Sequence, residues 1–161
     1  MSGRSHISSR YALAMLACVV SLHTSSSRAE SPFDGLRGSW SGGGIVSMTD
    51  GGRERIRCGA SYSPSGPNLQ MRLRCASDSY TVNLTGQITS SGSKITGKWS
   101  EASRQLSGDL TGTARLGIIQ ASATSPTFTV ALNVRTTGSN QSITIQAPGT
   151  PVSNVAIALK R

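Results

Sequence analysis

The 161-residue chain carries 16 lysines and arginines against 7 acidic residues, a net charge of +9, with 2 histidines and 3 cysteines. Both histidines, His6 and His23, and one cysteine, Cys18, fall within residues 1–29. Without that stretch the chain has no imidazole, one cysteine pair and few carboxylates. This excludes the usual parts of acid–base, nucleophilic and metal-assisted catalysis, so the sequence predicts no enzyme, no catalytic residue, no metal site and no cofactor.

Residues 1–29 have the three regions of an export signal. Arg4 and Arg10 lie in a polar start, an apolar run extends from Tyr11 to Leu22, and a polar end closes on Ser27-Arg28-Ala29, where small residues suit cleavage after Ala29. The apolar run falls short of the roughly 20 residues a membrane-spanning helix needs, and no later segment is apolar enough to try. Met15-Leu16-Ala17-Cys18 resembles the box before a lipidated cysteine, but the apolar run continues through Val19 to Leu22. The predicted product is therefore periplasmic or secreted, without a transmembrane segment. Cleavage removes Arg4, Arg10 and Arg28 and leaves 13 basic residues against 7 acidic ones, a charge near +6, on residues 30–161. That length suits one domain, burying roughly two-thirds of the unfolded chain's surface.

From Leu36 onward apolar residues recur at every second position, the period of a strand with one buried face. The inward sets, in chain order, are Leu36, Trp40, Val46 and Met48; Ile56, Cys58, Ala60 and Tyr62; Met71, Leu73 and Cys75; Tyr80, Val82, Leu84 and Ile88; Ile95 and Trp99; Leu106, Leu110, Ala114, Leu116 and Ile118; Phe128, Val130, Leu132 and Val134; Ile143 and Ile145; and Val155, Ile157 and Leu159. Turn residues divide them at Asp50–Gly52, Ser63–Asn68, Ser90–Ser93, Thr137–Asn140 and Pro148–Pro151. This spacing predicts an all-β fold, a single antiparallel up-and-down barrel or strongly curled meander of about eight strands. A barrel is favoured over a sandwich because closure removes exposed edges. In Leu36–Trp40, Leu84–Ile88, Ile95–Trp99 and Leu106–Leu110 a glycine shares the inward parity of its apolar neighbours, as strong curvature or a bulky neighbour requires.

Cys58 and Cys75 fall on the inward parity of consecutive strands, and a hairpin centred on Gly66 and Pro67 sets them opposite each other at the separation a disulfide needs. In an exported chain a disulfide is the default, although two reactive thiols would share that spacing, and two thiols without histidine make only half a zinc shell.

The same alternation turns Arg53, Arg55, Arg57, Arg72 and Arg74 to one outer face. Such a patch could grip an anionic envelope component through bidentate contacts, or simply keep the protein solvated. Nucleic acid is not an expected partner, because the patch lacks interleaved aromatics. Glu54 and Glu101 have inward parity near strand ends, where a barrel mouth would lie, with Arg104 and Arg115 as candidate partners. Trp40 and Trp99, with Tyr62, Tyr80 and Phe128, either line a ligand pocket or fill the interior, and filling is favoured because eight strands are just wide enough to be packed by their own side chains.

At Gly38-Ser39-Trp40 the chain resembles the opening of calycin-type barrels, the lipocalins and avidins. The resemblance implies their barrel fold, without biotin or retinoid binding. Residues 30–161 also resemble small exported alphaproteobacterial proteins of uncharacterised function, through the tryptophan-glycine opening, the cysteine pair and the segment Gly97 to Glu101. That resemblance implies a compartment but no activity. The expected function is non-enzymatic binding of a small ligand, at Trp40, Trp99, Glu54 and Glu101, or of an anionic envelope component at the arginine face. The alternative is an envelope structural or interaction protein, for instance a protease-inhibitor-like barrel, with a filled interior.

Overall fold

The computed structural model describes residues 31–161, and the predicted leader, with His6, Cys18 and His23, lies outside the described residues. After one turn of 3-10 helix at Asp34–Leu36 come ten strands: β1 (Gly38–Met48), β2 (Arg53–Ser65), β3 (Asn68–Ala76), β4 (Thr81–Ser91), β5 (Lys94–Glu101), β6 (Leu106–Arg115), β7 (Ile118–Thr124), β8 (Thr129–Thr137), β9 (Asn140–Gln146) and β10 (Val152–Lys160). Each pairs antiparallel with its sequence neighbours, and β10 returns to β1 to close the barrel. Among the described residues no helix is long and apolar enough to cross a membrane.

The count of ten corrects the expected eight or so. The long sixth set, Leu106 to Ile118, is two strands joined by a two-residue turn: Arg115 pairs with Ile118, while Leu116 and Gly117 between them have φ of +44° and +80°. Positive φ at both central residues is the requirement of a type I′ hairpin turn, which normally selects glycine or asparagine rather than leucine. The turn also shifts parity. On β7 it is Ile119, Ala121 and Ala123 that face inward, so Leu116 and Ile118, expected inside, are 91% and 38% exposed.

Curvature is absorbed where glycine stands opposite bulk. Around the wall Met71 pairs with Gly86, Gly86 with Trp99, and Trp99 with Gly108. A Cβ at Gly108 would overlap the Thr124 carbonyl, so no larger residue fits there.

The barrel is densest at one end. Phe33 and Leu36, on and beside the 3-10 turn, pack with Trp40, Leu69, Ile95 and Leu159 into a plug whose members are at most 2% exposed. The Trp40 indole N–H donates to the Leu36 carbonyl at 2.8 Å, and the Arg161 guanidinium lies 4.9 Å from the centre of its ring. Within this end the Tyr62 hydroxyl donates to Gln141 Oε1 at 2.8 Å, and Gln141 donates to Thr136 Oγ1 at 3.0 Å, so the buried polar pair is satisfied. Burial pushes the Tyr62 phenol up to about 12.

Cys58 and Cys75 are direct cross-strand partners on β2 and β3 and form a disulfide, with Cα atoms 4.1 Å apart. The bridge closes a 17-residue separation, worth about 3 kcal/mol in the chain-entropy description. Replacing both cysteines by alanine should therefore lower the thermal midpoint by roughly 10 °C without changing the far-ultraviolet dichroism of the barrel. An unchanged midpoint would show that the bridge adds nothing.

Candidate functional site

Ten strands make a wider tube than eight, and side chains that would fill the narrower one leave this one partly open. The expected packed interior is corrected accordingly: a cavity of about 520 Å³ occupies the barrel beyond the plug. Its walls are inward positions of many strands, among them Met48, Val82, Leu84, Val130, Ile145 and Val155. These are only half-buried, whereas inward positions near the plug are closed off. The interior is thus a cup with one mouth, framed by the loops after β1, β3, β5, β7 and β9.

The structure divides the predicted ligand residues. Trp99 lines the cavity; its ring centre is 6.1 Å from that of Phe128, and its indole N–H donates to the Asp109 carbonyl at 3.2 Å. Trp40 belongs to the plug and does not reach the cavity lining. Glu101 sits at the mouth, 6% exposed, at the end of β5. Its carboxylate accepts from the backbone amides of Asn83, Ser103 and Arg104, each at 2.9 Å, so it ties the β5–β6 loop to the start of β4. Of its two expected partners, Arg104 contacts it at 3.5 Å, while Arg115 lies at the plug end and donates to Ser93. Glu54 is held by the β3–β4 loop, accepting from the Ser79 amide at 3.2 Å. The Ser77 hydroxyl, ahead of the opposing effect of burial, lowers its pKa.

Two further residues meet at the mouth, one expected to fill or line the interior and the other to pair with a carboxylate. The Arg104 guanidinium lies 5.6 Å from the centre of the Tyr80 ring, and both residues line the cavity. The Tyr80 hydroxyl is buried and has no hydrogen-bond partner. Desolvation and then the nearby Glu54 charge raise its pKa, yet the carboxylate stays outside hydrogen-bond geometry. The signal for Tyr80 was its inward parity with Val82, which reads equally well as core.

All five arginines, Arg53, Arg55, Arg57, Arg72 and Arg74, are exposed on the outer wall of β2 and β3. Arg74 faces Gly59 and Arg72 faces Ser61, so Arg57 and Arg74 are diagonal neighbours. Among the described residues the ion pairs are Lys98–Asp109 and Arg104–Glu101, and neither involves the wall arginines.

No protein-family profile matches the chain, and no curated protein does. Solved structures do share its fold. Rv2717c from M. tuberculosis superposes with a TM-score of 0.65 at 17% identity, over 80% of this chain and 94% of that one. The S-type phycobiliprotein lyase CpeS from Guillardia theta superposes with a TM-score of 0.58 at 10% identity, over 80% of this chain and 88% of that one. The calycin-like barrel expected from Gly38-Ser39-Trp40 is thus shared with known structures, whereas neither neighbour speaks for the alphaproteobacterial resemblance. The second neighbour corrects the expectation that the chain is not an enzyme, because a barrel of this fold is named a lyase. Scarcity of acid–base groups does not exclude catalysis, since a cavity can act by positioning reactants alone.

Burial pushes the Glu101 carboxyl up, but the Asn83, Ser103 and Arg104 amides outweigh it and hold the group below its ordinary value of 4.5. A lowered folded-state value means stabilisation that is present above about pH 4.5 and lost as pH falls through the folded value. Glu101→Gln should therefore cost about 2 kcal/mol at pH 7, with the gap to the parent protein closing as pH falls below 4.5, in urea denaturation at several pH values. A pH-independent gap would remove the ionised carboxylate from this role.

Proposed function

We propose that the barrel binds a small amphipathic molecule, its apolar body in the cavity and its polar head at the mouth. The observation that carries this reading is the open apolar cavity of about 520 Å³, within the roughly 300–1,000 Å³ range of small-molecule sites. Trp99 and Phe128 supply aromatic wall, and the unpartnered Tyr80 hydroxyl with the Arg104 guanidinium supplies polar contacts for the head. Glu101 holds the mouth in shape rather than meeting the ligand, since its lone pairs are taken by three amides. A periplasmic or secreted location fits this role; it is supported by the disulfide and by the predicted leader.

A second reading rests on the outer wall. The five arginines lack a carboxylate partner among the described residues, which favours contact with an anionic envelope component such as lipopolysaccharide. Charge reversal of Arg55, Arg57, Arg72 and Arg74 would then abolish salt-sensitive retention on lipopolysaccharide, and unchanged retention would dismiss it.

The cavity reading is tested with N-phenyl-1-naphthylamine, an uncharged fluorophore that the wall arginines do not attract. Saturable binding should appear together with energy transfer from Trp99. Ala123→Trp, which fills the cavity from β7, should weaken it by roughly tenfold or more. Absence of saturable binding to the folded protein would overturn the reading.

A further inference from the structure

The plugged end of the barrel presents an arrangement that neither the cavity nor the arginine wall explains. Leu116 is 91% exposed at the tip of the β6–β7 hairpin, in a backbone conformation that L side chains other than asparagine and aspartate seldom adopt. An apolar side chain there costs both conformational strain and exposure to water, and it contributes nothing to the core. Ile118, two residues on at the start of β7, adds a partly exposed apolar surface on the outer wall. Strain kept at an exposed apolar tip points to a use outside the fold.

Charge is distributed in the same direction. The plugged end carries Arg37, Lys94, Arg115, Arg135, Lys160 and Arg161, with Asp34 the acid among them in the described residues. The mouth end has Arg53 and Arg104 as well, but sets Asp50, Glu54, Asp78 and Glu101 beside them. None of the plugged-end cations forms an ion pair among the described residues, and the hydrogen bonds of Arg37 and Arg161 go to carbonyls, which leave their charge uncompensated. A surface hollow of about 400 Å³ lies between Arg135 and Lys160, with Gly42, Ala158 and Leu159 in its apolar floor and Ser41, Thr137, Asn140 and Ser142 able to donate to an anion. Arg135 pairs across the strands with Ile118, so the hollow adjoins the apolar tip.

We infer that the plugged end is a docking surface for an anionic phospholipid bilayer, with Leu116 seated among the lipid head groups and a lipid phosphate held in the hollow between Arg135 and Lys160. One exposed leucine with a neighbouring isoleucine is too small a patch for a stable protein interface, whereas shallow insertion of an apolar tip surrounded by cations suits an anionic lipid surface. Docked in this way, the barrel turns its mouth away from the bilayer.

The test is co-sedimentation of the folded protein with vesicles of phosphatidylcholine alone and of phosphatidylcholine containing phosphatidylglycerol. Binding is expected only to the second kind, falling as salt rises. Leu116→Gly and the pair Arg135→Glu with Lys160→Glu should each weaken it by roughly tenfold. Leu116→Gly separates docking from a structural role: it should raise the thermal midpoint, by relieving the positive φ, while lowering vesicle binding. Several results would overturn the inference. They are equal binding to both vesicle types, binding untouched by these variants, or binding lost only on reversal of Arg55 and Arg72 on the wall. Full competition by millimolar inorganic phosphate would instead make the hollow a soluble-anion site. A dimer that Leu116→Gly dissociates, with vesicle binding unchanged, would make the tip a contact between two copies of this chain.

Discussion

Closure of the sheet on itself sets the radius of the barrel, and the radius decides whether there is anything inside to bind. Ten antiparallel strands joined from β1 round to β10 enclose more volume than their inward side chains occupy, even with Trp99, Phe128 and Met71 among them. The tight curvature is possible because glycines lie opposite the largest of these residues, as in the row Met71, Gly86, Trp99 and Gly108. The 3-10 turn with Phe33 and Leu36 then stops one end. What would be an open tube becomes a vessel with a single entrance.

The ionisable groups divide between holding that vessel together and facing outward. Glu54 and Glu101 stand at the rim, as their parity suggested, but both carboxylates are engaged by loop amides. Their work is to fix the rim loops, and this leaves Tyr80 and Arg104 as the polar groups available to a guest. The cations lie over the wall, at the plugged end and, with Arg53 and Arg104, at the rim, and ion pairs answer few of them. Most acids of the described residues thus stand beside arginines near the entrance, whereas the far end carries bases with Asp34 alone among them.

Much of the architecture was legible because strand periodicity leaves a strong trace in a chain with few aromatics and no competing helical pattern. The opposed cysteines were legible for the same reason, since two inward residues on consecutive strands and one turn centre fix their register. The tenth strand was hidden by a turn written with leucine where glycine or asparagine is expected, and by an inward face on β7 that includes two alanines. The nine inward sets could not each be one strand of an all-antiparallel closed barrel, since an odd number forces one parallel pair. The cavity followed from the missed strand, because the width that favoured a filled interior belonged to a narrower barrel. The amide partners of Glu101 lie in a loop and at the start of a strand, and no periodicity announces contacts of that kind. Exclusion of enzymatic work from composition proved too strong, since a barrel of this fold is named a lyase and a cavity can promote a reaction by placement.

Hairpin-only connectivity has a consequence for the order in which the chain organises. Every hydrogen-bonded strand pairing except one lies between sequence neighbours, so β1 through β10 can assemble by successive short-range zippering. The exception joins Ser41 with Lys160 and Val46 with Val155, across nearly the whole described chain. Until that last ladder forms, the sheet has two bare edges and its greasy lining faces water, so the slow step and the exposure to misassembly both belong to the moment of sealing.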